Sequence, residues 1–126
     1  MSQQYDTPYR RFVAGGAIPQ YSLVQFASTK KVTVNGLATR PIGVAMQPAF
    51  VDGDEITVKL LSGGGTFKGI ADEAIEASDV LYTEADGELQ DTAAGTSHPI
   101  GIALEDAAAG AIFEWMPIAY GGPAAQ

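Results

Sequence analysis

The stretch Pro41-Ile42-Gly43-Val44-Ala45-Met46 decides how this chain is read, because it occurs twice. Pro99-Ile100-Gly101-Ile102-Ala103-Leu104 repeats it, one copy lying in each half of the chain. Four of the six positions are identical, and the other two exchange one aliphatic residue for another. A long apolar run interrupted by a single glycine fits a buried strand whose backbone is closely approached by a second element.

The repetition extends outward from these two copies. Ala14, Ala17 and Ile18 match Ala71, Ala74 and Ile75 at one common offset, and Leu23-Val24 matches Val80-Leu81 and Lys31-Val32 matches Glu88-Leu89 at the same offset. An insertion in the 92–97 loop lengthens the offset by a single position for the glycine-bearing run, and the original offset returns where Gly53 meets Gly110. Slips confined to loops, with register kept in the strands, are the mark of a duplicated unit.

Within each unit the pattern is β. Phe12-Val13-Ala14 is a short apolar strand stopped by Gly15-Gly16, and Leu23-Val24 opens a second that puts Val24 and Phe26 on one side. Val32-Thr33-Val34 alternates, Asn35-Gly36 is a turn signal, and Glu55-Ile56-Thr57-Val58-Lys59-Leu60-Leu61 alternates as a half-buried antiparallel strand does. In the second unit the turn signal is Ala85-Asp86-Gly87, and residues 111–116 form the closing strand. Helix signals are thin: residues 71–80 align with a segment containing glycines and a proline, and 105–110 has room for one helical turn ending at Gly110. The expected fold is all-β, a small β-barrel or β-sandwich of eight to ten strands built from two tandem sequence-related halves, with an extended N-terminal arm. The divisions are an arm over 1–11, a β domain over 12–116 and a tail over 117–126. Inside the domain the halves are 12–61 and 67–116, joined by a glycine-rich connector over 62–66.

Charge is segregated along the chain. All seven Lys and Arg lie within residues 1–68 against four acids, a net +3, whereas residues 69–126 carry eleven acids and neither Lys nor Arg. The whole nets −8, which makes nucleic acid a poor partner, since phosphates require clustered cations. The acidic half is read either as a solvated face or as one electrostatic end of a molecule that docks in one orientation. No cysteine is present, no apolar run approaches the ~20 residues of a membrane span, and the polar N-terminus lacks a signal-peptide core. The expectation is a protein made in a cytoplasm, with no membrane partner.

Catalytic and metal-binding patterns do not appear. His98 is the sole histidine, held extended by Pro99 and read as a surface loop residue. Gly63-Gly64-Gly65 lacks the Gly-Lys-Ser/Thr ending of a phosphate loop, and Asp52, Asp54 and Glu55 lack the spacing of a calcium loop. Asp72, Glu73, Glu76 and Asp79 form a diffuse acidic surface rather than a paired carboxylate site. No enzyme, cofactor or metal is expected. Tyr5, Tyr9, Arg10 and Arg11 in the arm are residue types enriched at protein interfaces, and the arm is read as ordering on a partner.

The ordered set Ala-Ile-x4-Leu-Val, Lys-Val, Pro-Ile-Gly-Val-Ala and Asp-Gly-Asp-Glu-Ile-Thr-Val, with Gly-Ile-Ala-Leu-Glu-Asp-Ala-Ala-Ala-Gly at 101–110, resembles the capsid cement proteins of tailed bacteriophages, also called head decoration proteins. The resemblance spans roughly residues 12–116. It implies a structural virion protein, made in the host cytoplasm, that binds the outer surface of the capsid as a homotrimer and bridges subunits of the major capsid protein. Tyr5, Tyr9, Arg10 and Arg11 are then the expected capsid-binding residues. The rival reading is a free-standing β-sandwich binding module, glycan-binding or a fibre-associated adhesin.

Overall fold

The computed structural model describes residues 8–28, 30–62, 65–93, 95 and 97–118. Ten strands carry the fold: β1 (Tyr9–Ala14), β2 (Leu23–Phe26), β3 (Lys31–Val34), β4 (Gly43–Ala45), β5 (Glu55–Leu60), β6 (Phe67–Ile70), β7 (Val80–Thr83), β8 (Leu89–Gln90), β9 (Pro99–Ala103) and β10 (Ile112–Pro117). Among the described residues the one helical element is a single 3-10 turn, Ala85–Gly87. Strands β1 to β5 close into a barrel in the order β1-β3-β2-β4-β5, with β5 pairing back onto β1. Strands β6 to β10 form a five-stranded sheet in the order β6-β10-β9-β7-β8.

The two halves place corresponding strands in matching order, and most of their pairs correspond, although the second half is an open sheet with a bulge between Leu81 and Tyr82. The parallel pair Ala14↔Val32 that closes the first barrel reappears as the single parallel bridge Ala71↔Leu89. Val24↔Gly43 becomes Leu81↔Gly101, Phe26↔Val32 becomes Thr83↔Leu89, and Ala45↔Val58 becomes Ala103↔Trp115. Even the isolated bridge Ile18↔Ala49 has its counterpart in Ile75↔Ala107. Tyr21 and Ser78, equivalent residues without glycine's freedom, both take left-handed φ, at 70° and 77°. Each donates its N–H to an equivalent carbonyl, Ala45 and Ala103 respectively. The sequence offset between the halves is therefore a correspondence of backbone hydrogen bonds as well as of letters.

The glycine in each copy of the opening stretch has a steric reason. A Cβ on Gly43 would fall on the Lys59 carbonyl oxygen and lie 2.7 Å from a Val58 methyl. A Cβ on Gly101 would fall on the Met116 carbonyl oxygen and on the Trp115 ring. Lys59 and Met116 are themselves equivalent positions, so both halves press β4 or β9 against the neighbouring strand at the same point.

The interiors keep one plan and exchange sizes within it. Ala14, Ile18, Val24, Val32, Ala45, Ile56 and Val58 are buried in the first half; Ala71, Ile75, Leu81, Leu89, Ala103, Phe113 and Trp115 replace them in the second. Where the first half places Phe12 beside the small Val58, the second has Gly69 beside Trp115. An added Cβ on Gly69 would meet the Trp115 indole nitrogen at 2.8 Å. The large ring changes strand, and Val24 to Leu81, Val32 to Leu89 and Ile56 to Phe113 enlarge the second core further.

Three sequence expectations change. Tyr9, Arg10 and Arg11 pair with Lys59, Val58 and Thr57, so β1 begins inside the span read as the arm. Residues 105–110 form no helical turn, because the Ala107 amide and carbonyl are drawn into hydrogen bonds with Ile75. His98 keeps its loop position before β9 but is half-buried: its backbone N–H donates to Thr83 Oγ1 at 2.9 Å, and its Nε2 lies 3.1 Å from the Ala38 carbonyl oxygen of the other half.

Overpacking at the repeated glycines sets the first expected outcome. Gly43→Ala and Gly101→Ala should each lower unfolding free energy by about 1–3 kcal/mol. Gly15→Ala, whose methyl would meet nothing nearer than 3.5 Å, should stay near wild type in the same urea titrations.

Candidate binding surface

Alternation along β1 distributes the side chains singled out in the sequence. Phe12 and Ala14 face the barrel interior, so Tyr9, Arg11 and Val13 face outward. Tyr9 is 45% exposed beside its cross-strand partner Lys59. Arg11 Nε lies 3.4 Å from Glu55 Oε1, and its Nη1 donates to Thr57 Oγ1 at 3.4 Å. Both members of the Arg11–Glu55 pair are well exposed, so water screens it and it orients the guanidinium more than it stabilises the fold. Arg10 turns to the opposite side, its guanidinium 5.2 Å above the Phe12 ring. Phe12 in turn meets Phe26 edge-on at 5.7 Å. Of the four residues named from the sequence, Tyr9 and Arg11 share a face, Arg10 does not, and Tyr5 lies outside the described residues.

A second exposed element escaped the sequence reading. Phe50 is 76% and Val51 60% exposed at the tip of the loop between β4 and β5. The Asp54 carboxylate holds this loop, accepting from the Phe50 N–H at 2.8 Å and the Val51 N–H at 3.2 Å. Lys31 Nζ braces it further through Asp52 at 2.9 Å. An apolar pair set between Pro48 and Asp52-Gly53 was the available signal. Each of Asp52, Asp54 and Glu55 thus has a partner within the fold, and the described residues contain no group of three or more His, Cys, Asp or Glu able to hold a metal ion.

The carboxylates of the second half hold loops. Asp79 accepts from the Glu76 N–H, Asp106 from the Ala77 N–H and Glu105 from the Glu114 N–H, at 2.8–2.9 Å. Glu73 accepts from the Asp91 N–H and the Thr92 hydroxyl, each at 3.2 Å. Two neighbours are strained by this crowding. Burial pushes the Glu88 carboxyl above its ordinary value, reinforced by a hydrogen bond with Asp72 and by the charges of Asp72, Asp86 and Glu84. A hydrogen bond shared with Glu73 raises Asp91, with burial adding to it and hydrogen bonds with Asp79 and Thr92 opposing.

These surfaces offer side chains for contact, and the comparisons point the same way. The family model described as phage cement protein matches residues 11–116. The chain belongs to the phage cement protein family. It is accordingly a structural protein of a phage virion, and a family and fold of this kind point away from an enzymatic role. The fold is also that of a solved structure described as head fiber gp8.5 N base in bacteriophage phi29, at a TM-score of 0.71 and 20% identity, covering 89% of this chain and 98% of that one. No curated protein matches this cement protein.

The raised carboxyls give a signed pH expectation. Glu88 and Asp91 bind protons more tightly folded than unfolded, so their contribution to stability is present at low pH and is lost as pH rises through their folded values. Glu88→Gln and Asp91→Asn should therefore melt higher than wild type at neutral pH. Their advantage should shrink to nothing as pH falls through the carboxylate range, read by differential scanning calorimetry.

Proposed function

We propose that this protein binds the outer surface of an assembled phage capsid and stabilises the shell by bridging neighbouring subunits of the major capsid protein, acting as a homotrimer. It is made in the host cytoplasm and joins the shell from outside. Membership of the phage cement family over residues 11–116 carries this reading. Tyr5, Tyr9, Arg10 and Arg11 are the proposed contact set. Tyr9 and Arg11 lead it, because they share the outward face of β1 and continue from the segment that contains Tyr5. A net charge of −8 supplies solubility and self-repulsion before assembly.

The alternative, a glycan-binding module, finds less support. Such modules stack sugars on exposed aromatic platforms, whereas the single tryptophan, Trp115, is fully buried and stacked on Phe67 at 5.3 Å.

Removing residues 1–7 tests the arm while leaving β1 intact. A deletion through Arg11 would also strip the pairs Tyr9↔Lys59, Arg10↔Val58 and Arg11↔Thr57 and confound folding with binding. The shortened chain should melt as wild type does and co-sediment with purified shells at least about tenfold more weakly, a loss of roughly 1.4 kcal/mol. Tyr9→Ala with Arg11→Glu should weaken binding in the same direction. Full binding by both chains would sink the contact assignment, and shells whose disassembly temperature ignores the wild-type protein would sink the bridging role.

A further inference from the structure

The joint between the two halves uses one outer face of the first barrel. Leu23 on β2 and Val44 on β4 point away from that barrel's own core and are 1% and 0% exposed, because the core of the second half covers them. Around them, Lys59 Nζ lies 4.3 Å over the Phe67 ring and Lys68 Nζ 5.9 Å over Tyr21. The Gly87 N–H donates to the Asn35 carbonyl at 2.9 Å, and a Cβ on Gly87 would sit 3.0 Å from Ser22 Cβ. The second half thus grips this face with β6 and the 3-10 turn.

The correspondence between the halves defines the same two surfaces a second time. On the second half, Val80 and Ile102 stand where Leu23 and Val44 stand on the first, with Met116 for Lys59, Leu104 for Met46 and Asp79 for Ser22. They keep the apolar character but lack a cover: Val80 and Ile102 are only half-buried, and Met116 and Leu104 are 38% and 40% exposed. On the first half, Arg10 takes the place of Phe67, Lys30 that of Gly87 and Phe26 that of Thr83, and Phe26 is 49% exposed.

We infer that the outer face of β7, β9 and β10 docks onto β1 and the β2–β3 turn of a second copy of this chain, head to tail, repeating between molecules the joint found within one. The inference rests on the trimer reading and supplies its interface. The paired replacements fit each other. Lys30 for Gly87 comes opposite Asp79 for Ser22, an opposite-charge pair in place of a tight backbone approach. Arg10 for Phe67 comes opposite Met116 for Lys59, which leaves the cation on the other partner. The docking face thus carries Asp79, and the receiving side carries Arg10 and Lys30. Like-charged surfaces cannot pair this way, so the segregation of charge orients the copies. A heterologous contact of this type forms a ring when its rotation closes, and three copies close it as the trimer. Arg10, set apart from Tyr9 and Arg11 by the pleat, then serves the joint as well as the shell.

Complementation between two variants tests the joint. Met116→Lys spoils the docking face alone, setting a like charge against Arg10, and Lys30→Asp spoils the receiving side alone, setting a like charge against Asp79. By analytical ultracentrifugation the wild-type chain should sediment as a trimer. Each variant should fold by circular dichroism yet associate at least tenfold more weakly, and the equimolar mixture should form one-to-one dimers and nothing larger, since one intact interface survives per pair. If Met116→Lys melts early, Leu104→Lys beyond the end of β9 takes its place. A monomeric wild type, variants that remain trimeric, or a mixture that stays monomeric overturns the joint. Shell binding measured in parallel separates the two readings. A monomer that binds shells removes the ring and keeps the capsid role, and a trimer that ignores shells does the reverse.

Discussion

Everything in this fold depends on how closely β4 approaches β5, and β9 approaches β10. At Gly43 and at Gly101 the neighbouring strand's carbonyl occupies the space a Cβ would need. The contact fixes the level at which each closing strand sits. Val58 and Trp115 are thereby delivered to the interior, opposite Ala45 and Ala103. Because side chains alternate, a slip of one residue would turn these interior groups outward and bring Lys59 or Met116 in. A pair of glycines therefore specifies two cores.

Those cores are not independent. Leu23 and Val44 belong by chain to the first barrel and by packing to the core of the second. Gly87 has left-handed φ, at 75°, and its missing side chain lets the 3-10 turn reach the backbone of β2. Thr83 Oγ1 donates to the Leu37 carbonyl at 2.7 Å while accepting from the His98 N–H, so one hydroxyl ties β7 to the first half and to its own neighbouring strand. A sheet that closes upon itself through only the Ala71↔Leu89 bridge gains from the first barrel the cover that a full ladder supplies elsewhere.

Much of this was legible in the letters. The twin Pro-Ile-Gly runs and the near-constant offset between the halves named equivalent strands directly, since loops absorb insertions and hydrogen-bonded ladders do not. Asp86-Gly87 was readable as a turn because both residues tolerate the positive φ they adopt. The exchange between Phe12 and Gly69, and between Val58 and Trp115, was hidden because a large ring moves from one strand to another rather than keeping its position. The start of β1 at Tyr9 was missed for a different reason. Its outward residues are polar and its pairing with β5 is made by backbone, which composition does not reveal. Of the proposed contact set, alternation alone placed Tyr9 with Arg11 and turned Arg10 away. The exposed Phe50-Val51 tip was obscured by its apolar letters, and the Asp54 carboxylate that presents it to water became evident only as geometry.

The acidic half then admits a narrower physical account than a solvated face. Glu73, Asp79, Glu105 and Asp106 carry negative charge because a carboxylate is the strongest acceptor for loop N–H groups, and each is used that way. Those four charges are structural. Glu88 and Asp91 are different, since crowding raises both and makes their ionised forms a burden on folding at neutral pH. No Lys or Arg in residues 69–126 relieves them. The nearest equivalent in the first half shows the contrast: Lys31 occupies the position of Glu88 and is paired with Asp52. A fold selected for its own stability would place a cation at one such site, as the first half does. At Glu88 and Asp91 the second half keeps acid at a cost to its own stability, a cost that the first half avoids through the Lys31–Asp52 pair.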